Sequence, residues 1–318
     1  MNKKILSIFG LIILIVFSKL FISSTYLKTS DKLHQQYFNN QYGVYSIVHP
    51  KNLGFANEYC PTSSNEIFER VDKELLKNTY WQSNTLLYFK RSNKYFPIIE
   101  RILEENNIPN DFKYLALIES GLENVFSPSG AAGFWQIMRG TGKEYGLEIN
   151  YAIDERFNLE KSTQVACDYL KKAYKEFGSW TLAAASYNMG INGLKRKIKS
   201  QGTNNYYNLH LSNETSRYVF RILVVKEIIE NPNKYGFVFR KDDLYTYPDM
   251  DLIKIDSTIA DLTKFAHSYD INYKILKHFN PWLRVSSLPD KSRRKYILKI
   301  PKNKKDLVFK DFIADSKN

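Results

Sequence analysis

The stretch from Leu115 to Thr141, LALIESGLENVFSPSGAAGFWQIMRGT, narrows the folds open to this chain more than any other. It sets a short apolar helical period directly before a glycine-rich loop. Asn110, preceded by Pro109, is a good N-cap and predicts a helix from about Asp111. On that helix Phe112, Leu115, Ala116 and Glu119 fall at i, i+3, i+4 and i+7 and share one face. Glu119 therefore takes a position made for a core residue, and Ser120-Gly121 ends the helix just past it. Burial among apolar neighbours disfavours the charged carboxylate and raises its pKa, which yields a proton donor near neutral pH. The ordinary alternative is a surface Glu at a frayed helix end.

The residues that follow favour chemistry. Gly121, Gly130, Gly133, Gly140 and Gly142 lie within 22 residues, interleaved with Ser127, Ser129, Trp135 and Gln136. Glycine lets backbone approach a ligand closely, while Trp and Gln can stack on and hydrogen-bond to a sugar. A glycine-rich loop alone is weak evidence. The ordered pattern E-S-G-L, then S-x-x-G-A-x-G-x-W-Q-x-M-x-x-T, is specific. It resembles the lytic transglycosylases of the goose-lysozyme-like superfamily, the membrane-bound D type in particular.

Four ordered motifs between Ile108 and Glu230 carry that resemblance. IPNDFKYLALIESGL is similar to the family's first motif and makes Glu119 its catalytic residue. SPSGAAGFWQIM is similar to the second and places Ser127, Gln136 and Met138 along the substrate. DERFNLEKSTQVACDYLKKAYKEFGSWTLAAASYNMG covers the D-x-R-x-x-x-x-x-S-T stretch and an A-Y-N-x-G motif. There Ser186 replaces the usual Ala before Tyr187-Asn188, and all three count as substrate-lining by resemblance. ETSRYVFRIL matches the last motif and sets Tyr218 beside the site.

A chain of 318 residues, 43% hydrophobic, can bury a large core and a small one. Its net charge of +13 suits an anionic partner such as lipid, nucleic acid or bacterial wall polymer. The Lys and Arg are scattered over predicted helices, and no helix-turn-helix or zinc-finger pattern occurs, so nucleic acid is not an expected partner. Two cysteines, Cys60 and Cys167, and five scattered His offer no metal-ligand spacing. No metal or other cofactor is expected. The cysteines read as two separate thiols, Cys167 in a helix core and Cys60 in a poorly structured region.

Along the chain, Lys3-Lys4 and the uncharged run ILSIFGLIILIVFS make residues 1–24 a signal-anchor or signal peptide. That puts the remainder in the cell envelope, outside the cytoplasm in the periplasm, held at the membrane. Residues 25–64 read as a tether or irregular cover. From 65 to 235 the helical period dominates, which predicts an all-α domain. In it Tyr88-Phe89 and Phe96-Pro97-Ile98-Ile99 punctuate successive helices, and Ser179 caps a helix from Trp180 to Met189. Residues 250–302 change pattern to strand, two helices, an N-P-W-L turn at 280–283 and a closing strand. This βααβ order is similar to a LysM module, although Ile255-Asp256-Ser257-Thr258 stands where that family has G-D-T-L. Such a module should be separable from the helical domain; glycan binding by it stays open.

The expected architecture is therefore mainly α, a lysozyme-like all-α catalytic domain plus a small βααβ LysM-like C-terminal module. The resemblance implies a monomeric enzyme that cleaves the peptidoglycan bond between N-acetylmuramic acid and N-acetylglucosamine and forms a 1,6-anhydro ring. One residue would suffice: Glu119 as acid, then as base. Hydrolysis would need a second carboxylate, for which Glu123, Asp111 and Asp154 are the nearby choices. The competing readings are a hydrolytic muramidase on the same fold and a non-catalytic wall-binding scaffold.

Overall fold

A computed structural model describes residues 33, 36, 45–289 and 295–304. Its contacts divide the chain into two units, Met1–Ser46 and Ile47–Asn318, and the second holds every helix and strand from Gly54 onward. Segment 1–24, expected at the membrane, lies outside the described residues. Among those described, no helix is long and apolar enough to cross a membrane.

Helix α1 (Asn65–Tyr80) buries Ile67, Val71 and Leu75, one residue per turn. Helix α2 (Gln82–Glu105) runs unbroken through Pro97, where the sequence suggests separate helices. Pro97 is itself exposed, while Phe96 and Ile99 on either side are buried. The packing they gain outweighs the backbone hydrogen bond that proline removes. A 3-10 turn, Asn110–Phe112, leads into α3 (Lys113–Ser120), and no side chain caps either element. The predicted Asn110 cap is thus replaced by a tight turn that inserts Phe112 into the core. Gly121 closes α3 in the left-handed conformation, φ 63°.

The remaining helices are α4 (Arg139–Glu144), α5 (Leu159–Phe177), α6 (Trp180–Met189), α7 (Ile191–Gln201) and α8 (Asn213–Glu230). Asn158, Ser179 and Ser212 cap α5, α6 and α8 through their side chains. Ala183, Ala184 and Ala185 are fully buried, and their small side chains let α6 approach its neighbours closely.

Residues 47–64 form the irregular cover, packed and not loose. A two-residue hairpin, β1 (Gly54–Phe55) with β2 (Glu58–Tyr59), drives Phe55 edge-on against Phe112 at 4.9 Å. The Glu58 carboxylate accepts hydrogen bonds from Ser179 Oγ (2.8 Å), Trp180 N (2.6 Å) and Thr181 N (2.9 Å). A negative charge on the unsatisfied amides of α6 favours that helix start. Cys60 is fully buried in this cover, contrary to its poorly structured reading, and both Cys60 and Cys167 are free thiols.

At the C-terminal end β3 (Met250–Ile255) pairs antiparallel with β4 (Tyr296–Pro301), from Met250 opposite Pro301 to Ile255 opposite Tyr296. Helices α9 (Leu262–Ser268) and α10 (Tyr273–Phe279) lie between them, so the βααβ order holds. Asp261 caps α9 by accepting from the amides of Thr263 and Lys264. Buried Asn280 donates to Leu276 O and Lys299 O and accepts from Lys299 N, which locks the N-P-W-L turn to β4.

The structure ties this module to the helical part more closely than its sequence suggests. Its core is continuous with Ala132, Ala152, Ile153 and Phe157 of the helical part. Asp154 N donates to Trp282 O (2.9 Å) and Arg284 N to Ala152 O (2.8 Å). Cutting the chain after Pro248 would bare those four residues and free the 152–157 loop. We expect the truncated protein to melt well below the full chain. Ile153→Ala should cost the full chain about 2–5 kcal/mol within one cooperative transition. Circular dichroism melts check both; an unchanged melting temperature after truncation would mean the shared core contributes nothing.

Candidate active site

Glu119 occupies the last turn of α3, with Leu115 and Ala116 fully buried on its face. Glu119 is half-buried, and loss of solvent is the largest influence on its carboxyl. Burial pushes its pKa up to about 7. A hydrogen bond from Tyr218 and the positive charge of Arg221 pull the other way, and the charge of Glu214 adds to the rise. Tyr218 OH donates to Glu119 Oε1. Tyr218 and Tyr187 have phenols pushed well above the ordinary value, first by burial and then by Glu119, so both remain donors at neutral pH.

Helix α8 supplies three of these groups from one face: Glu214, Tyr218 and Arg221 stand at i, i+4 and i+7. Arg221 donates to Ile118 O (3.0 Å), which ties α8 to the turn that carries Glu119. Helix α6 is held to the same helix by Asn188, which donates to Glu214 Oε1 (3.1 Å) and accepts from Thr215 Oγ1 (2.7 Å). Tyr187, next in sequence, donates to Trp135 O (2.8 Å). Glu214 and Arg221 are absent from the sequence-based list. Their spacing around Tyr218 was the available signal.

The loop after α3 is pinned at several points. Ser120 Oγ donates to Phe134 O (2.8 Å). Trp135 is fully buried and donates from Nε1 to Thr163 Oγ1 (2.8 Å), so it anchors the loop and does not stack on a ligand. Buried Arg156 pairs with Asp154 (2.8 Å) and donates to Gly130 O (2.8 Å) and Ile137 O (3.1 Å). Gly133, at φ 78°, lies so near this residue that a Cβ would sit 2.0 Å from Arg156 O. The D-x-R spacing is thus the frame of the loop.

Gln136 adopts φ 46°, unusual for a non-glycine residue. Its amide nitrogen donates to Gly133 O (2.8 Å) and Val125 O (3.1 Å). Ser127 accepts from Ala131 N (3.0 Å) and closes a tight turn, and Met138 is exposed ahead of α4. Neither Ser127 nor Met138 hydrogen-bonds to Glu119 or Tyr218. Ser186 departs from its sequence assignment. It is fully buried and its hydroxyl donates to Ala183 O (2.7 Å), so it serves the packing of α6.

The other carboxylates near Glu119 in sequence have partners. Arg91 pairs with Glu123, Lys226 with Asp111 (2.6 Å), and Arg156 with Asp154. Glu119 binds its proton more tightly in the folded chain, at about 7, than its ordinary value of 4.5 allows when unfolded. Folding therefore takes up a proton between those values, and stability falls as pH rises through that window. Glu119→Gln removes this cost. Melting temperatures should show the variant ahead of wild type at pH 8, with the gap closing by pH 4.

Two family models match the chain. Residues 96–210 match the transglycosylase SLT domain, a range that ends before Tyr218. Residues 251–304 match the soluble lytic transglycosylase C-terminal LysM-like domain. Membrane-bound lytic murein transglycosylase D from Escherichia coli K12 is 28% identical over 250 residues, 76% of this chain and 53% of that one. A putative tributyltin chloride resistance protein from Alteromonas is 28% identical over 127 residues, 39% of this chain and 61% of that one. The chain thus spans about half the length of the first of these curated relatives. Among solved structures, the 70 kDa soluble lytic transglycosylase of Escherichia coli is 23% identical, covering 45% of this chain and 25% of its own at a TM-score of 0.38, too partial to argue from. The chain carries a transglycosylase SLT domain followed by a soluble-lytic-transglycosylase C-terminal LysM-like domain.

Proposed function

We propose that this protein is a peptidoglycan lytic transglycosylase whose catalytic residue is Glu119. The observation that carries the reading is the half-buried Glu119 carboxyl accepting from Tyr218, its pKa pushed up to about 7 by burial, beside phenols that stay protonated. At neutral pH such a group exists in both protonation states, which suits one residue that first gives and then takes a proton. Protonated Glu119 donates to the oxygen linking N-acetylmuramic acid to N-acetylglucosamine. The C1–oxygen bond breaks and the sugar ring takes on oxocarbenium character. Glu119, now a carboxylate, takes the proton of the muramoyl 6-hydroxyl as that oxygen bonds to C1 and closes the anhydro ring. No water is consumed, and the acid is restored.

Tyr218 steadies the carboxylate through its hydrogen bond. We assign Ser127, Gln136, Met138, Tyr187 and Asn188 to the substrate-lining surface, and leave Ser186 out because it is buried. The reading extends to a monomer at the cell envelope. Residues 1–24 would fix it to the membrane with the catalytic part outside the cytoplasm, as Lys3-Lys4 ahead of an apolar run implies.

One observation favours the hydrolytic alternative. Glu214 is a second carboxylate close enough to raise the pKa of Glu119, and it is exposed. A muramidase would use it to position water. Digestion of purified wall followed by muropeptide mass spectrometry separates the two readings. We expect 1,6-anhydro ends, a loss of at least roughly 10²–10⁴-fold in Glu119→Gln, and a far smaller loss in Glu214→Gln. Reducing ends, together with a dead Glu214→Gln variant, would establish the hydrolase instead.

A further inference from the structure

A groove of about 450 Å³ opens where the N-terminal cover meets the start of α6, and the chemistry above does not use it. Its wall includes Glu58 and Tyr59 of β2, Ser179 and Thr181 at the start of α6, and Asn204 and Asn205 beyond α7. None of these residues belongs to the Glu119 site. Thr181 and Asn188 stand near opposite ends of α6, about 10 Å apart along its axis at 1.5 Å per residue. The groove and the cleft thus share a helix without sharing a wall.

What lines the groove selects against charge. In a chain of net charge +13 its wall carries no Lys, Arg or His. Its one carboxylate, Glu58, is taken up by three donors at the start of α6 and would repel a second acid. What remains free is an aromatic face and amides. The Tyr59 side chain is 58% exposed and has no ring, cation or hydrogen-bond partner among the described residues. Asn204 is exposed, and its carboxamide has no partner among them either. Asn205 accepts from Tyr207 N through Oδ1 (3.0 Å), which leaves its Nδ2 as a donor. An open ring beside free carboxamides matches a neutral sugar, whose C–H face meets the ring while its hydroxyl and acetamido groups meet the amides. The volume lies in the range of small-ligand sites.

We propose that this groove is a second glycan-binding site, separate from the Glu119 cleft, which takes a neutral N-acetylated sugar of the wall polymer on the face of Tyr59. That the polymer is wall glycan rests on the transglycosylase reading; the preference for a neutral sugar rests on the groove alone. A strand held there stays on the enzyme after the cleft lets go.

Nitrogen-15 NMR titration with the N-acetylglucosamine tetramer tests this, on the full chain carrying Glu119→Gln so that the probe is not cut. The amides of Tyr59, Asn204 and Asn205 should shift together and saturate. Raising the salt should leave the affinity unchanged, since no ion pair forms. Tyr59→Ala should weaken binding at these amides roughly tenfold or more. Tyr59→Phe keeps the ring and should bind as the parent does, while Asn204→Ala should bind more weakly. Shifts confined to the amides of Gln136 and Asn188 would place the probe in the cleft alone and overturn the proposal. So would undiminished binding by Tyr59→Ala, loss of binding in Tyr59→Phe, or an affinity that falls with salt. Failure of the transglycosylase reading shows separately, in the digestion products, because the tetramer holds no muramoyl residue and a neutral-sugar site binds it either way.

Discussion

Desolvation of one carboxyl is the constraint on which the rest of the site depends. A Glu on the buried face of a helix would ordinarily be replaced or neutralised, because an enclosed charge is costly. Here the cost is left standing, and its physical result is a pKa near 7 instead of near 4.5. The opposing influences are modest and specific: one phenol, Tyr218, and one guanidinium, Arg221, both from α8. A stronger partner would hold Glu119 as a permanent carboxylate. Fuller burial would hold it as a permanent acid. The intermediate setting is what a reversible proton carrier requires.

Much of the surrounding structure keeps this setting in place. Arg156 and Asp154 form a buried pair whose remaining donors hold Gly130 and Ile137, and so fix the loop that carries Gln136. That loop through Ala132, and the 152–157 loop through Ile153 and Phe157, meet the C-terminal module. Glu58, from the N-terminal cover, caps the helix that delivers Tyr187 and Asn188. Segments distant in sequence, α8 among them, thus converge around Glu119. In this arrangement the LysM-like part shares a core with the loop that carries Gln136 and braces it.

The helical body and the βααβ tail are legible in the sequence because both rest on local period and local caps. Glu119 is legible for the same reason: its face is written in Phe112, Leu115 and Ala116. What escapes is non-local. The burial of Trp135 depends on Thr163, and the burial of Ser186 on how α6 packs; neither shows in the residues alone. Pro97 reads as a helix break because its exposure, and the burial of Phe96 and Ile99 beside it, follow from tertiary contacts. Residues 47–60 have no periodicity, yet Phe55 and Cys60 are fully buried, since irregular backbone can be fixed by what it covers. Glu214 and Arg221 could have been found from their spacing around Tyr218.

The central claim concerns the proton affinity of a single side chain, and it can be measured without substrate. Carbon-13 NMR of protein labelled at the Glu carboxyls follows each titration, and loss of one resonance in Glu119→Gln identifies the signal. The account predicts a midpoint near 7 for Glu119, moving upward in Tyr218→Phe as the hydrogen bond to the carboxylate is lost. A midpoint near 4.5 would show an ordinary solvated acid, and one indifferent to Tyr218 would show that the phenol does not hold the carboxylate; either would contradict the account.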